Sequence, residues 1–341
     1  MRVAMYYSNR DVRLEEMPTP QIGPGEMLVK VVASGICGSD VIEWYRIKRA
    51  PRVLGHEITG EVVEIGDGVA RYRVGDRVFV SHHVPCNTCR YCLRGLHTLC
   101  DTLHTTNFDP GGFAEYLRVP AINVERGVFL LPDEMSFEAG TFIEPLGCVV
   151  RGQRLANMRP GQSVLVLGSG VSGLLNIRLA RALGAGRILA TDVSDYRLRA
   201  AKRSGADAVL DARDDVPRQV RTVTGSEGVD LAIVCTAAPS AFEQALASVD
   251  RGGTVLLYAL HSPGTRLDFD ARELMVRGIT LLSTYGASPL DLSVSIELLR
   301  SRRVQVEDLI THRLPLAETA KGFQLVAAAQ ESLKVIIEPG R

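Results

Sequence analysis

The chain has 341 residues, 46% of them hydrophobic, and its 39 basic residues balance its 39 acidic ones. A chain of this length exceeds one hydrophobic core and suits two domains. The zero net charge disfavours a nucleic-acid or membrane partner, and no run of about 18 apolar residues predicts a membrane span. Cysteines in a chain that starts without an apolar export signal predict a cytoplasmic protein.

The predicted secondary structure changes character part-way along the chain. Up to about residue 147, short apolar stretches are separated by Gly, Pro and Asp, a pattern typical of β-strands and turns. After Pro145 strands and helices alternate, which predicts a doubly wound parallel sheet. We predict strands at 164–167, 187–191, 231–235, 254–259 and 279–283, and helices at 171–183 and 196–204. Two short helices and a strand at 333–337 follow, and we expect this tail to rejoin the first domain.

Four of the seven cysteines lie close together in the sequence, at Cys86, Cys89, Cys92 and Cys100. Zn²⁺ binds four thiolates tetrahedrally, and gaps of two residues let consecutive cysteines reach one ion. Adjacent disulfides at this spacing would be cramped, whereas a four-iron cluster also takes four cysteines at short spacing. A site filled by four protein ligands has no open position, so we expect a structural role.

A glycine-rich turn directly follows the strand predicted at 164–167. The turn has the pattern G-x-G-x-x-G, formed by Gly168, Gly170, Val171, Ser172 and Gly173. The glycines permit a tight turn, a close approach of the backbone to a pyrophosphate, and close packing of helix on strand. The helix N-terminus would then direct its N–H groups at the phosphates. The motif predicts a dinucleotide site.

The next predicted strand ends at Asp192, 19 residues after Gly173. An acidic residue there can bind the ribose hydroxyls of the cofactor and repel a 2′-phosphate, which favours NAD over NADP. Arg197 lies close by in the sequence, and a basic neighbour can accommodate that phosphate. The pattern therefore favours NAD without excluding NADP.

Three further motifs supply possible metal ligands, although each is ordinary by itself. They are C-G-S-D with Cys37, Ser39 and Asp40, G-H-E with His56 and Glu57, and E-P-L with Glu144.

In this order, and with the four cysteines, the segment at 112–116 and the glycine turn, these motifs resemble the zinc-dependent medium-chain alcohol dehydrogenase family. The resemblance is closest to its sorbitol and threonine dehydrogenase branch and covers essentially the whole chain. It implies an α/β fold. A β-rich GroES-like catalytic domain would comprise residues 1–148 and 288–341, and a Rossmann dinucleotide-binding domain residues 149–287.

The resemblance also implies two zinc ions per chain. Cys37, His56 and Glu144 would bind a catalytic zinc, with Glu57 beside the metal and able to ligate it. Asp40 would orient His56 through its other ring nitrogen, as metal-bound imidazoles require. The four cysteines would hold a structural zinc, which removes most of the case for an iron cluster.

A proton relay and a substrate pocket are implied in the same way. Ser39 would take the alcohol proton, but the histidine that continues the relay in many relatives is replaced by Ile42. Either Glu57 with water molecules or Glu43 would then carry the proton onward. The pocket wall would include Trp44, Tyr45 and His82.

We therefore expect an NAD-dependent, zinc-dependent enzyme that interconverts a secondary alcohol and a ketone. The alcohol would be a polyol, sugar derivative, cyclitol or amino-alcohol. A zinc-free NADP-dependent enoyl or quinone reductase would lack the three ligand motifs, and a catalytically silent binding or structural protein would have lost Cys37, His56 or Glu144. The branch predicts a homo-oligomer, a tetramer or dimer, that joins at the strand at 254–258 or at 279–283.

Overall fold

The computed structural model describes every residue from Met1 to Arg341. Its strands are β1 (Arg2–Ser8), β2 (Asp11–Glu16), β3 (Met27–Gly35), β4 (Arg52–Val53), β5 (Glu57–Ile65), β6 (Arg77–Val80), β7 (Tyr116–Val119), β8 (Val128–Leu130), β9 (Ser163–Leu167), β10 (Arg187–Asp192), β11 (Ala208–Asp211), β12 (Val229–Val234), β13 (Val249–Leu257), β14 (Thr280–Ser283), β15 (Ile310–Pro315) and β16 (Lys334–Glu338). The α-helices are α1 (Glu43–Arg46), α2 (Asp101–Thr105), α3 (Ala121–Gly127), α4 (Phe137–Gly140), α5 (Ile143–Leu155), α6 (Val171–Ala182), α7 (Asp195–Arg203), α8 (Val216–Thr224), α9 (Pro239–Ser248), α10 (Ala271–Arg277), α11 (Pro289–Arg300) and α12 (Thr319–Ala328). None of these helices is long and apolar enough to cross a lipid bilayer.

The chain forms two compact units. Unit 1 comprises residues 1–147 and 287–341, and unit 2 comprises residues 148–286. Unit 1 therefore contains both ends of the chain.

Unit 2 is built on a six-stranded parallel sheet with the order β11-β10-β9-β12-β13-β14. The strands read as continuous apolar runs because helices cover a parallel sheet on both faces; in β9, for example, the last four residues are buried. The strand order reverses between β9 and β12, and ligands of such sheets bind beyond the carboxyl ends at this point. The predicted doubly wound sheet is confirmed.

The sheet order also separates the two strands that were expected at an oligomer edge. Strand β14 is the edge strand, as the prediction for residues 279–283 requires. Strand β13 is paired on both sides, with β12 and β14, so the prediction of an edge at residues 254–258 was wrong. A strand whose backbone groups are paired on both sides cannot add a further strand.

Unit 1 holds a seven-stranded sheet, in which β15-β16-β3-β5-β6-β8 form a continuous path and β7 pairs with β3, and a small sheet β2-β1-β4. Strand β16, from the C-terminal tail, pairs with the end of β3 through Ile336 and Gly35. On the other side Gly35 pairs with Glu57 at the start of β5. A Cβ atom at Gly35 would overlap the ends of the Glu57 and Lys334 side chains, so a larger residue there would displace them. This three-strand junction positions the residues described next.

Candidate metal centres and dinucleotide site

The four clustered cysteines have the geometry of a tetrahedral zinc site. The Sγ atom of Cys92 lies 3.6 Å from that of Cys89 and 4.0 Å from that of Cys86. All four sulfur atoms lie within 4.8 Å of one another. Sulfurs bound to one zinc at about 2.3 Å are about 3.8 Å apart, whereas bonded sulfurs are about 2.05 Å apart. The four cysteines, Cys100 included, therefore fit one zinc ion.

Two cysteines of this lobe differ in how readily they lose the thiol proton. Hydrogen bonds favour the thiolate of Cys86, and burial disfavours the thiolate of Cys92. The hydroxyl of Thr88 and the N–H groups of Thr88 and Cys89 donate to Cys86 Sγ. In that order they lower the pKa of Cys86 to about 5. Burial raises the pKa of Cys92 to about 12. A metal cation would take the place of the proton on that thiol.

A second group of ligand atoms lies at the junction of β3 and β5. Cys37 follows β3 and His56 precedes β5, and their ligand atoms lie within 4.8 Å of each other and of the Glu57 carboxylate. The Cys37 sulfur accepts hydrogen bonds from the N–H and the hydroxyl of Ser39, at 3.4 and 3.3 Å. These bonds suit a thiolate. A thiolate and an imidazole this close together are the donor set of a zinc site.

Asp40 is fully buried directly behind His56. One of its carboxylate oxygens lies 3.3 Å from Nδ1 of His56 and 3.1 Å from the Arg46 guanidinium. The other oxygen accepts the N–H of Cys37 at 3.1 Å. With Nδ1 directed at a carboxylate, Nε2 carries the lone pair that a metal requires. Asp40 is thus placed for the orienting role expected of it.

The electrostatic field at His56 favours a cation. Burial opposes a charge on this imidazole, but the carboxylate of Asp40 and the sulfur of Cys37 outweigh it and hold the pKa of His56 well above its usual value. Burial likewise opposes a charge on Asp40, yet His56 and Arg46 hold its pKa below the usual value. A field that attracts a proton to His56 also attracts a divalent metal to the same nitrogen.

Glu57 has a partner that sequence reasoning missed. Its carboxylate forms an ion pair with Lys334, and the two side chains are 1% and 2% exposed. The ammonium of Lys334 also lies 5.3 Å from the ring centre of Phe142. The available signal was a lysine inside an otherwise apolar predicted strand. The Glu57 charge beside Cys37 and His56 is therefore balanced within the protein.

The glycine turn in unit 2 has the backbone geometry expected of a phosphate site. Gly168 has a φ of 94°, which favours glycine. A Cβ atom at Gly173 would overlap the carbonyl oxygen of Gly168, so the helix packs onto the turn only with glycine there. Helix α6 begins at Val171, its N-cap is Gly170, and no side chain caps it. Its first N–H groups therefore have no side-chain acceptor and can bind an anion.

Asp192 closes this site at the end of β10. One carboxylate oxygen accepts the N–H of Ser169 at 2.8 Å, and the other accepts the N–H of Ser194 at 2.9 Å. These bonds fix the carboxylate beside the glycine turn while each oxygen keeps a lone pair for a hydroxyl donor. Arg197 is half-buried in α7, and its Nε atom is buried without a hydrogen-bond partner.

Comparison with known proteins identifies the family of the chain. Residues 23–133 match the model of the alcohol dehydrogenase GroES-like domain, and residues 172–301 match that of the zinc-binding dehydrogenase domain. The chain is 33% identical to sorbitol dehydrogenase of Bacillus subtilis, over all of this chain and 98% of that protein. The chain belongs to the zinc-dependent medium-chain alcohol dehydrogenase family. This confirms the predicted family and its sorbitol and threonine branch. It also confirms the predicted α/β fold with a GroES-like domain and a Rossmann domain.

Other relatives place this dehydrogenase in the same branch. It is 37% identical to L-threonine 3-dehydrogenase of Pyrococcus abyssi, over 94% of this chain and 91% of that protein. Among solved structures, alcohol dehydrogenase TADH from Thermus sp. ATN1 superposes with a TM-score of 0.89 at 32% identity and covers 99% of both chains. The similarity extends over the full length of the chain and is not confined to one shared domain. It therefore identifies the chain as an alcohol dehydrogenase.

Ser39, the expected first member of a proton relay, has an unexpected hydrogen-bond partner. With Ile42 in place of the usual histidine, the guanidinium of Arg46 contacts Ser39 instead. It donates to the Ser39 hydroxyl at 2.8 Å and to the Ser39 carbonyl at 3.0 Å. Arginine has no acceptor and stays protonated, so it orients Ser39 and cannot take its proton. Sequence reasoning did not identify this residue.

Of the three residues expected on the pocket wall, the structure brings His82 next to His56. The ring centre of His82 lies 4.9 Å from that of His56 and 3.8 Å from that of His83. Burial, and then these two neighbours, hold the pKa of His82 well below its usual value, so it is neutral at physiological pH. Trp44 and Tyr45 meet edge to face, with ring centres 5.8 Å apart.

Glu144 lies half-buried at the second residue of α5. The compact group of possible ligand atoms contains Cys37, His56 and Glu57 and does not contain Glu144. Its role as the third ligand of the dehydrogenase metal therefore stays a prediction.

Proposed function

We propose that this enzyme oxidises a secondary alcohol to a ketone with NAD as hydride acceptor, and catalyses the reverse reaction. The observation that carries the proposal is the arrangement of Cys37, His56 and Asp40. It combines a thiolate environment, an imidazole oriented by a buried carboxylate, and a field that favours a cation. The four-cysteine lobe, with no open position, supports a second and structural zinc.

The zinc ion, NAD and two side chains would have separate roles in the reaction. Zinc held by Cys37, His56 and Glu144 would supply Lewis-acid stabilisation of negative charge on that oxygen, and NAD would accept the hydride. Asp40 would keep the ring of His56 in its ligating orientation. Ser39 would accept the alcohol proton on the lone pair that Arg46 leaves free.

The proton would leave Ser39 by a route without a histidine. Arg46 cannot accept it, and the carboxylate of Glu57 is paired with Lys334. We propose that water molecules carry the proton from Ser39 toward the Glu57 carboxylate. The alternative acceptor, Glu43, accepts the N–H of Asn9 at 3.1 Å and is exposed.

NAD is proposed over NADP because of Asp192. Its carboxylate is buried to 7% exposure and fixed by two backbone N–H groups, so it stands ready to accept the ribose hydroxyls and repels a 2′-phosphate. Arg197 is a nearby feature that favours NADP, although a guanidinium also binds a ribose oxygen.

The names of the relatives define the substrate class only broadly. Sorbitol and L-threonine both carry a secondary hydroxyl group, but sorbitol is neutral and L-threonine bears a carboxylate. We therefore propose a small polyol, sugar derivative, cyclitol or hydroxylated amino acid.

The decisive experiment measures NADH absorbance and metal content on the same preparations. The wild-type enzyme should contain about two zinc ions per chain and reduce NAD with a member of a panel of sorbitol, threonine and inositols. Cys37→Ser should keep the zinc of the cysteine lobe and lose turnover. Cys148→Ser, a thiol in α5 outside both clusters, is the control and should keep both metals. A wild-type preparation that contains two zinc ions per chain and turns over no secondary alcohol would contradict the proposal.

We also propose a homo-oligomer in the cytoplasm. Strand β14 ends the parallel sheet with an open edge, and the neighbouring helix α10 exposes Met275 and Val276, at 82% and 69%. Large exposed apolar side chains next to an open edge favour association with another copy. Light scattering after size-exclusion chromatography measures the number of chains, and a monomer would contradict the proposal.

A further inference from the structure

The segment between Ser39 and His56 carries four cations and few anions. They are Arg46, Lys48, Arg49 and Arg52. Arg46 pairs with Asp40. Arg52 is different, because it is half-buried in β4, only four residues before His56, and its side chain forms neither a hydrogen bond nor an ion pair. A partly desolvated charge without a partner is unfavourable unless an anion joins it.

The surroundings make that charge more unfavourable still. Burial first, and then the charges of Arg46 and Arg49, lower the pKa of Arg52. The nearby carboxylates are already engaged. Asp40 accepts from Cys37, Arg46 and His56, and Glu43 accepts a backbone N–H. The Asp40 carboxylate also acts on Arg52 and opposes that lowering, but this carboxylate is already engaged by Arg46 and His56.

A second unsatisfied group lies within the field of the same cations. The Nδ1 atom of His82 is buried and has no hydrogen-bond partner. The charges of Arg46 and Arg52 both act on this imidazole. A buried ring nitrogen without a partner is rare in folded proteins and points to a missing ligand. Two groups that lack partners thus act on each other: the Arg52 cation and the His82 ring, which lies 4.9 Å from the ring of His56.

We propose that the alcohol substrate carries an anionic group, a carboxylate or a phosphate monoester, which Arg52 binds and to which His82 donates a hydrogen bond. The inference rests on the proposed alcohol oxidation, since it names the substrate class of that site. A guanidinium presents parallel N–H donors that match both kinds of anion. Arg46 is held by Ser39 and Asp40, so it contributes charge while Arg52 makes the contact.

The first test uses the only tryptophan of the chain as a reporter. Trp44 lies in α1 with Arg46, and the adjacent Tyr45 acts electrostatically on Arg52. Titration with inorganic phosphate, and separately with acetate, should change Trp44 fluorescence in a saturable way. NAD is added beforehand so that the glycine turn of unit 2 does not bind the anion. The stronger of the two anions identifies the group.

Variants locate the binding. Arg52→Met should lower the affinity for the anion by at least about tenfold, as expected for loss of a charge-assisted hydrogen bond. Arg52→Lys, which keeps the charge, should retain part of the affinity. Arg303→Met is the control, because Arg303 is an exposed arginine of unit 1 whose side chain forms no hydrogen bond or ion pair, and this variant should bind the anion like the wild type. Equal binding by Arg52→Met, or no saturable change in the wild type, would overturn the inference.

Kinetics separate this inference from the proposed function. The ratio of kcat/KM for sorbitol 6-phosphate to that for sorbitol should exceed one in the wild type and fall about tenfold in Arg52→Met. Threonine and threoninol, which has a hydroxymethyl group in place of the carboxylate, form the matching pair for a carboxylate. Turnover of neutral alcohols with ratios that do not respond to Arg52 would overturn the anion site and leave the alcohol dehydrogenase intact. Anion binding without turnover of any alcohol would overturn the proposed function instead.

Discussion

Lys334 and Glu57 form an ion pair inside unit 1, where their side chains are 2% and 1% exposed. Glu57 begins β5 directly after His56, and Lys334 begins β16 from the C-terminal tail. The pair joins two distant parts of the chain behind the candidate metal site. It also holds the Glu57 carboxylate on the lysine, so that the carboxylate is not an unpaired charge beside Cys37.

Replacing Lys334 with methionine should destabilise unit 1 by about 3–5 kcal/mol, because it leaves the buried Glu57 charge without a partner. Thermal or denaturant unfolding measures the change. Arg313→Met is the matched control. It breaks the more exposed pair with Glu138, whose side chains are 41% and 27% exposed, and should change stability by about 1 kcal/mol or less. Adding Glu57→Gln to the Lys334 variant should restore part of the loss. Equal stability of the two single variants would contradict the prediction.

The Lys334–Glu57 pair also shows what the sequence could not predict. Its partners are 277 positions apart, and no local pattern relates them. The four-cysteine cluster and the glycine turn, by contrast, were predictable because each motif is contained within a short stretch of sequence. The parallel strands β9, β10 and β12 were predictable because burial on both faces leaves continuous apolar runs. Short β11, with three of its four residues half-buried, has no such run and was missed.

The same distinction applies around the catalytic site. The C-G-S-D and G-H-E motifs predicted which residues gather, and Ile42 showed that the relay histidine is absent. That Arg46 contacts Ser39 depends on the short helix α1, which turns residue 46 back toward residue 39. Sheet order has a similar dependence. Strands at 254–258 and 279–283 look alike in sequence, and only the pairing of β13 on both sides decides which one is the edge.

Thr88 should set the acid limit of the structural zinc. Its hydroxyl, followed by backbone N–H groups, lowers the pKa of Cys86 to about 5. A thiol with a depressed pKa favours metal retention above that pKa, and the contribution is lost as the pH falls through it. Thr88→Val raises the pKa of Cys86, so zinc should leave at a higher pH than in the wild type. Zinc release is followed with a chromogenic chelator across an acid titration.

The control for that titration is Thr105→Val. Thr105 is an exposed threonine of the neighbouring helix α2 whose hydroxyl bonds only backbone carbonyls. Its release curve should coincide with that of the wild type. If Thr88→Val released zinc at the wild-type pH, the hydroxyl would have no part in holding the thiolate.

Arg46 should determine the pH at which turnover begins. Its guanidinium touches the Ser39 hydroxyl and favours negative charge on nearby oxygens. Arg46→Met removes that cation, so the acidic limb of the kcat profile should move to higher pH by about one unit, as a charge-assisted hydrogen bond of about 1.5 kcal/mol implies. Arg46→Lys keeps the cation and should show a smaller shift. A uniform fall in kcat with an unchanged profile would assign Arg46 to folding alone.

Asp192 should decide between the two cofactors. Its carboxylate is fixed by the N–H groups of Ser169 and Ser194, and Asp192→Ala removes both the acceptor for the ribose hydroxyls and the charge that repels a 2′-phosphate. Loss of a hydrogen bond to a charged group, about 1.5–3 kcal/mol, corresponds to at least about tenfold in kcat/KM for NAD.

The kcat/KM for NADP should rise or stay constant. The ratio of kcat/KM for NAD to that for NADP should therefore fall at least as much as kcat/KM for NAD. Asp195→Ala is the control, because it removes the same charge from an exposed position at the start of α7 and should leave the ratio unchanged. Arg197→Met tests the opposing residue. If Arg197 contacts a ribose oxygen, its loss weakens both cofactors alike, whereas a selective loss of NADP would show that the guanidinium favours the 2′-phosphate against Asp192.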